Sequence, residues 1–216
     1  MPKPKTLKRE YDSSRRQAQA GETRRHILEA ARKLFMERGY AGATAEAIAA
    51  EAGVSAQTIY AIFKNKKRML VSLMNVSPTT GVEDPTPLPE RANVQAVAQE
   101  RDRHRQLEMF AQVVAANLDQ AAVVSEIMSD AAKTEPDFNR ILQKLNKQRL
   151  EHMTLAVQQF AANGPFREEM DEVQARDTVW TLTSPEVFLL LTQDRGWSKE
   201  KYAQWLTDML TRALLP

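Results

Sequence analysis

Polar side chains suited to reading duplex DNA recur at helical spacing between residues 56 and 64. Gln57 carries an amide that can both donate and accept at the edge of an adenine. Thr58 offers a hydroxyl and a methyl group, and Lys64 offers a positive charge for a phosphate. The pattern indicates the outer flank of a DNA-reading helix. The residues predicted to face outward are Ala56, Gln57, Thr58, Tyr60, Ala61 and Lys64.

Two short helices joined by a glycine turn must position this flank. Thr44 is an N-cap candidate for the first helix, and Ser55 is one for the second. Gly53 lies where the first helix must stop, since glycine accepts the positive φ of such a stop. This is a helix-turn-helix pattern, although two helices and a glycine turn also occur in all-α proteins that bind no DNA. The second helix would bury Ile59, Ile62 and Phe63.

The distribution of charge favours DNA as the partner. Residues 1–68 hold 15 Lys and Arg against 7 Asp and Glu, a net charge of +8, whereas residues 69–216 hold 15 against 21, a net charge of −6. Residues 66–68 are all cationic and open a further helix that Asn65 would cap. Cations there oppose the helix dipole by roughly 0.3–1 kcal/mol each. A bound phosphate would explain them, and a solvated charge cluster is the alternative.

Two further helices flank the turn motif. The first is predicted from about Thr23 to Arg38, with apolar residues at helical spacing and Gly39 at its end. Another helix follows residues 66–68 and continues to about Asn75. Across these four helices the spacing of apolar residues and the turn residues follow the pattern of one protein family. The positions that carry this resemblance are Thr23, Arg24, Ile27, Leu28, Ala30, Ala31, Leu34, Phe35, Gly39, Tyr40, Thr44, Ile48, Ala49, Ala52, Gly53, Val54, Ser55, Thr58, Ile59, Tyr60, Phe63, Lys64, Asn65, Lys66 and Leu70.

These positions resemble the N-terminal DNA-binding domain of the tetracycline-repressor (TetR) family over about 50 residues. The resemblance implies phosphate contacts by Thr44 and Tyr60. It implies base contacts by Gln57 and Thr58, and Gln57 replaces a residue that is often small in this family, so it would set a base preference of its own. The complete predicted DNA-binding set, with backbone contacts by the two lysines, is Thr44, Ser55, Ala56, Gln57, Thr58, Tyr60, Lys64 and Lys66.

Composition predicts four segments in an all-α protein. Residues 1–20 are basic and almost without apolar side chains, which predicts a disordered arm that either adds phosphate contacts or only aids solubility. Residues 21–76 form the helix-turn-helix domain. Residues 77–89 contain four of the ten prolines and are predicted to be a linker. Residues 90–216 are predicted to form a helical ligand-binding and dimerisation domain.

The C-terminal segment shows a series of helical repeats. Helices are predicted over about 90–118, 120–133, 137–162, 171–183, 186–193 and 198–215. The last is apolar over more than half its circumference, which is wider than one core needs and predicts a homodimer, while burial within one chain is the alternative. The predicted interface residues are Trp180, Val187, Leu191, Tyr202, Trp205, Leu206, Met209 and Leu210.

The resemblance also implies a pocket for a small-molecule inducer in this segment. Large or adaptable side chains are the candidates for its walls, and each could equally belong to the core. No ligand motif for a metal surrounds His104 or His152, so we expect no metal site. The pocket candidates are Met109, Phe110, Met128, His152, Met153, Phe160 and Trp180.

Several classes of protein are excluded by composition. The chain has no cysteine, which fits a cytoplasmic location, and no apolar run of the roughly 20 residues that a membrane span needs. It has no leader-like N-terminus and no motif of a catalytic or cofactor site, so we expect neither enzyme nor cofactor. We therefore predict a homodimeric regulator, a repressor by family precedent, that binds a pseudo-palindromic operator and is released by a ligand. The alternatives are a DNA-binding dimer without a ligand and a helical enzyme or carrier.

Overall fold

The computed structural model describes residues 7–77 and 83–216, and these residues form ten α-helices. They contain no β-strand, only an isolated bridge between Val76 and Glu83. The predicted all-α class is therefore confirmed. The chain divides into two compact units, unit 1 (Met1–Leu73) and unit 2 (Met74–Pro216). None of the described helices has an apolar stretch long enough to traverse a bilayer.

Unit 1 is built from four helices, with α1 packed against α2 and α4 and with α3 packed against α2 and α4. Their inward faces supply the small core that holds the second helix of the turn motif in place. The helices are α1 (Leu7–Gly42), α2 (Ala45–Glu51), α3 (Ala56–Phe63) and α4 (Lys66–Leu73). The largest fully buried side chains are Ile27, Leu34, Phe35, Ile48, Ile59, Met69, Leu70 and Leu73.

Helix α1 begins earlier than the sequence predicts. Residues 7–20, where we expected a disordered arm, are helical. They contain neither glycine nor proline and are rich in strong helix formers, which offset the lack of apolar side chains. Residues 1–6 of the predicted arm lie outside the described residues. The regular helix is interrupted where predicted, at Gly39, whose φ is 66°.

Unit 2 surrounds one long central helix, α6, which packs against α5, α7, α9 and α10. The core contains aromatic and aliphatic side chains from all of these helices. A 3-10 turn (Leu88–Glu90) precedes the first helix, and a π-helical segment (Leu190–Asp194) follows α9. The helices are α5 (Ala92–Gln99), α6 (Arg103–Ala132), α7 (Pro136–Ala162), α8 (Glu172–Leu182), α9 (Pro185–Leu189) and α10 (Lys199–Leu214).

The boundary between α5 and α6 differs from the predicted one. We expected helices over 90–118 and 120–133, but the break lies at residues 100–102 and α6 runs through residue 119. The Glu100 carboxylate accepts hydrogen bonds from the N–H groups of Arg101 and Asp102, which lower its pKa. Asp102 then caps α6 by accepting from the N–H of Arg105 at 2.8 Å. Residues 78–82 of the predicted linker lie outside the described residues.

Candidate DNA-binding surface and ligand cavity

The turn between α2 and α3 is held by side-chain caps. Thr44 Oγ1 accepts a hydrogen bond from the N–H of Ala47 at 3.1 Å, and Ser55 Oγ accepts one from the N–H of Thr58 at 3.1 Å. Gly53 has a φ of 67°, as a helix stop in the left-handed region requires. Both predicted caps and the predicted stop are confirmed. Together they set where α3 begins and which of its sides is free.

Helix α3 has one buried side and one exposed side. Ile59 and Phe63 are buried in the core of unit 1. On the other side Gln57 is exposed and the Tyr60 ring retains 48% of its accessible surface. Ala61 and Lys64 are exposed as well, while Ala56, Thr58 and Ile62 are partly buried. The exposed flank thus carries an amide, a phenol and an ammonium group, which can hydrogen-bond to base edges and phosphates.

Lys64 ends α3 in an unusual backbone conformation. Its φ is 67°, and its N–H donates to the carbonyl of Tyr60 at 3.0 Å, which closes the helix. Asn65 follows at once and caps α4, because its Oδ1 accepts from the N–H of Arg68 at 2.8 Å. The chain therefore passes from α3 to α4 within two residues. Lys64 stays exposed at this junction.

Two cations of unit 1 turn toward aromatic rings. Lys66 Nζ donates to the carbonyl of Tyr40 at 2.7 Å and lies 4.1 Å from the centre of the Tyr40 ring. The sequence predicts a contact between Lys66 and the DNA backbone, and in this structure its ammonium group is occupied by Tyr40. Arg24 lies 4.2 Å over the Phe63 ring. Sequence reasoning missed both pairs, since each joins residues that are far apart in the chain.

Residues 27–73 match the family model described as bacterial regulatory proteins, tetR family. The resemblance to the tetR family is thus confirmed for the part of the chain that holds the helix-turn-helix. That family is described as one of regulatory proteins, which agrees with the expectation that this chain is a regulator and not an enzyme. The match covers α2, α3 and α4 completely, together with the part of α1 that supplies the core of unit 1.

Solved structures with the same fold match nearly the whole chain. A regulator from Saccharomonospora viridis in complex with choline is 21% identical, with a TM-score of 0.66 over 90% of this chain and 98% of that one. NalD of Pseudomonas aeruginosa, a secondary repressor of the MexAB-OprM multidrug efflux pump, is 22% identical, with a TM-score of 0.64 over 91% and 98%. FadR of Bacillus subtilis in complex with stearoyl-CoA is 19% identical, with a TM-score of 0.61 over 86% and 96%. No curated protein sequence matches the chain.

Unit 2 contains a cavity of about 140 Å³ between α5, α6 and α7. Three predicted pocket residues line it, namely Phe110, His152 and Met153. Val97 and Val114 are further apolar wall residues. The complete lining is Leu88, Pro89, Val94, Gln95, Val97, Ala98, Phe110, Val113, Val114, Asn117, His152, Met153, Leu155, Ala156 and Gln159.

Four predicted pocket residues lie elsewhere. Phe160 lies behind the cavity wall, where its ring meets Phe110 edge-on at 5.2 Å between centroids. Met109 lines a separate cleft on α6 and α10. Met128 is fully buried, but it is 18 residues from Phe110 along α6, or roughly 27 Å at the rise of an α-helix. Trp180 lies beneath the Arg149 guanidinium, 4.1 Å from its ring centre.

Sequence reasoning missed the part of the cavity wall that comes from the proline-rich segment. Leu88 and Pro89 were assigned to the linker because of its composition, yet they line the cavity. Gln95 Nε2 donates to the carbonyl of Pro89 at 2.6 Å and ties this segment to α5. The signal that could have found it is Leu88 itself, an isolated large apolar side chain among prolines.

The cavity is polar in places but carries no formal charge. None of its lining residues is Lys, Arg, Asp or Glu. His152 is about half buried, and this burial lowers its pKa, with a smaller opposing effect from the charge of Glu151. The imidazole is therefore neutral at pH 7, where it can both donate and accept a hydrogen bond.

Three of the predicted interface residues cannot serve a dimer. Tyr202, Leu206 and Leu210 have no accessible surface, because α10 buries them against its own chain. The Tyr202 hydroxyl donates to the carbonyl of Leu182 at 3.0 Å, and burial raises its pKa. The wide apolar stripe of α10 is thus explained in part by burial within one chain. The other predicted interface residues, all partly exposed, are Trp180, Val187, Leu191, Trp205 and Met209.

Proposed function

We propose that the chain is a homodimeric transcriptional repressor that binds a pseudo-palindromic operator and is released by a small molecule. The exposed flank of α3 carries this proposal. It presents Gln57, Tyr60 and Lys64 to solvent from a helix whose other side is locked into the core. A helix of this kind in a helix-turn-helix enters the major groove of DNA.

Recognition would divide between neutral and charged groups. The Gln57 amide suits a bidentate contact with adenine, and the exposed Tyr60 hydroxyl and Lys64 ammonium suit phosphates. Unit 1 holds 15 Lys and Arg against 7 Asp and Glu, so its net charge of +8 attracts the polyanion at long range. Thr44 Oγ1 accepts from the N–H of Ala47 as a helix cap, which leaves its O–H to donate to a phosphate. Ser55 Oγ caps α3 and also shares a hydrogen bond with Thr58 Oγ1 at 2.9 Å.

A second copy is required to match a palindrome. Two recognition helices must lie about 34–36 Å apart to reach successive major grooves, which a two-fold dimer achieves. Unit 2 offers apolar surface for it at Val187, Leu191 and Met209, which are partly exposed. Val173 and Leu190, which sequence reasoning missed, are 54% exposed on α8 and on the π-helical segment. A face of this kind supports self-association.

Ligand control is supported by the cavity and by similar structures that were solved with a bound ligand. The Saccharomonospora viridis regulator holds choline, and Bacillus subtilis FadR holds stearoyl-CoA. NalD, at a similar TM-score, is described as a repressor. A ligand would release DNA only if it binds the state that fails to match the operator more tightly than the state that fits it.

Selection of bound duplexes from a random pool tests DNA recognition. We expect a pseudo-palindrome with half-sites about one helical turn apart. Gln57→Ala should relax preference at one base position in each half-site by about 1–3 kcal/mol. Lys64→Ala should weaken all sites alike and lower the salt slope by about 1. Lys144→Ala, an exposed lysine of unit 2, is the charge-matched control. Selection of no sequence at low salt would contradict the proposal.

Sedimentation of the full chain tests the dimer. Leu191→Glu places a charge in the partly exposed apolar face and should shift the chain toward a monomer with weaker operator binding. Leu150→Glu, a change of the same kind at an exposed leucine of α7, should leave the dimer intact. A wild-type chain that stays monomeric on its operator would overturn the proposal. A dimer whose operator binding responds to no small molecule would favour the alternative without a ligand.

A further inference from the structure

The cavity of unit 2 is framed by two matching helical stripes. On α6 the lining residues are Phe110, Val113, Val114 and Asn117, and on α7 they include His152, Leu155, Ala156 and Gln159, with Met153 beside them. Each set follows the spacing i, i+3, i+4 and i+7, so each occupies one face of its helix for two turns. The α7 stripe is apolar in the middle and polar at both ends, whereas the α6 stripe is polar only at Asn117.

The two helices run antiparallel because only residues 133–135 join them. The contact between Phe110 and Phe160 sets their register. Asn117, seven residues after Phe110, therefore lies at the same end of the cavity as His152, while Gln159 lies at the opposite end. The cavity thus has one end with two polar groups and an apolar middle.

The polar side chains at these ends have hydrogen-bonding capacity left for a ligand. Within the described part of the chain, Asn117, His152 and Gln159 make no hydrogen bond to protein. The Gln95 amide, by contrast, donates to Pro89. Partly buried polar groups normally find a partner, and a ligand or water must supply it here.

Charge and size restrict what can enter. A charged group would lose its hydration in a cavity whose lining holds no opposite formal charge, which is strongly unfavourable. The cavity volume is about 140 Å³. A cavity of about 150 Å³ accommodates benzene in another protein. A ligand of about the size of one aromatic ring is therefore expected.

We propose that this cavity binds an uncharged, ring-sized molecule that carries a hydroxyl or carbonyl group. The ring would lie in the apolar middle against Val113 and Ala156, and its polar group would hydrogen-bond at the end formed by Asn117 and His152. This inference rests on the proposed function, because it names the chemical class of the ligand that controls the regulator.

Calorimetry on the full chain at pH 7 with four matched rings tests the ligand class. The rings are 4-methylphenol, toluene, benzoate and benzylamine. We expect 4-methylphenol to bind, toluene to bind about tenfold more weakly because it cannot hydrogen-bond, and both ions to bind at least about a hundredfold more weakly. Equal or tighter binding of benzoate or benzylamine, or no binding of any ring, would overturn the proposal.

Variants locate the binding. Ala156→Leu fills the middle of the cavity and should abolish binding of both neutral rings. His152→Leu should leave toluene binding in place and reduce the roughly tenfold preference for 4-methylphenol to about onefold. His152→Gln should retain part of that preference, and Met109→Leu, outside the cavity, should change nothing. An unaltered preference in His152→Leu would place the polar contact elsewhere and overturn the assignment.

Operator binding in the presence of the same compounds separates this inference from the proposed function. If 4-methylphenol binds the cavity but leaves operator affinity unchanged, the ligand class stands and ligand release fails. If no ring binds and a charged compound releases the operator, ligand release stands and the ligand class fails.

Discussion

The two units carry similar neutral polar side chains in different surroundings, exposed in unit 1 and facing a cavity in unit 2. On α3 the Gln57 amide lies on an exposed flank, whereas in unit 2 the Asn117 and Gln159 amides face a cavity between helices. Unit 1 carries a net charge of +8 and unit 2 a net charge of −6. If the exposed flank binds DNA as proposed, the charge of unit 1 would supply attraction to the polyanion, and its neutral groups would need only to discriminate between bases. In the cavity, burial of apolar surface would supply the affinity of the proposed ligand, and neutral groups would orient it.

The units nevertheless share a structural device. Arg24 lies over Phe63 in unit 1, and Arg149 lies over Trp180 in unit 2. Arg149 also donates to the carbonyl of Trp180 at 2.7 Å, and its burial lowers its pKa. In both units a guanidinium group covers an aromatic ring and thereby joins elements distant in sequence. These cations support the fold, and only the exposed ones are available to a partner.

The largest expected effect concerns the core beneath the exposed flank. Phe63→Ala should destabilise unit 1 by about 3–5 kcal/mol and abolish operator binding, since Phe63 is buried beneath Arg24. All three tryptophans lie in unit 2, so tryptophan fluorescence during urea unfolding should report unit 2 and change little. Met36→Ala, at an exposed methionine of α1, should cost less than about 0.5 kcal/mol. If the urea midpoint measured by fluorescence shifted as far as the one measured by circular dichroism, the two units would not differ in their response to this change.

A smaller effect is expected at the start of α3, the proposed recognition helix. Ser55→Ala removes the acceptor for the N–H of Thr58 and should cost about 0.5–2 kcal/mol in the free energy of unfolding. Ser55→Asn keeps a capping side chain, so its free energy of unfolding should stay within a few tenths of a kcal/mol of the wild-type value. Urea titration followed by circular dichroism measures both. Equal losses in the two variants would show that the cap does not hold α3.

Lys64 separates stability from DNA affinity at a single position. Its φ of 67° is a conformation that strains any residue with a Cβ atom, at a cost of about 1–2 kcal/mol. Glycine avoids this strain but loses more conformational entropy on folding, at a cost of about 0.5–1 kcal/mol. Lys64→Gly should therefore stabilise the protein by about 0.5–1 kcal/mol, whereas Lys64→Ala should not. Both should lower the salt slope of operator binding by about 1, as one lost phosphate contact does. Different salt slopes for the two variants would contradict the proposed role of the ammonium group.

The smallest expected effect is a pH dependence confined to unit 2. Burial lowers the pKa of His152 below its ordinary value of 6.5, so the unfolded state binds more protons than the folded one near that pH. Stability should therefore fall as the pH falls below 6.5, and His152→Gln should flatten this part of the profile. Tryptophan fluorescence during urea unfolding at each pH measures it. The dependence should survive in His104→Gln, which removes an exposed histidine instead, and its persistence in His152→Gln would assign it to another group.

Local signals were sufficient for most helix boundaries. Thr44, Ser55 and Asn65 each cap the helix that the sequence predicts for them, since a cap bonds an N–H only three residues away. Gly39 and Gly53 adopt positive φ where the sequence predicts helix stops. The break at residues 100–102 was missed because its polar cap contains no glycine or proline.

The pocket and the dimer face were only partly predictable because they depend on contacts between distant segments. Helical periodicity identifies an apolar face but not what covers it. Tyr202 and Leu206 belong to the predicted apolar stripe, yet both are buried within their own chain. Leu88 and Pro89 join the cavity only because α5 folds back on them.

The sequence by itself determined an all-α chain with a basic helix-turn-helix unit, because caps, turns and apolar spacing act within a few residues. The tertiary structure alone decided that Lys66 meets Tyr40, that Asn117 and His152 share one end of an uncharged cavity, and that part of the α10 stripe is internal. These outcomes depend on contacts between segments tens of residues apart, and no local pattern specifies which segments will meet.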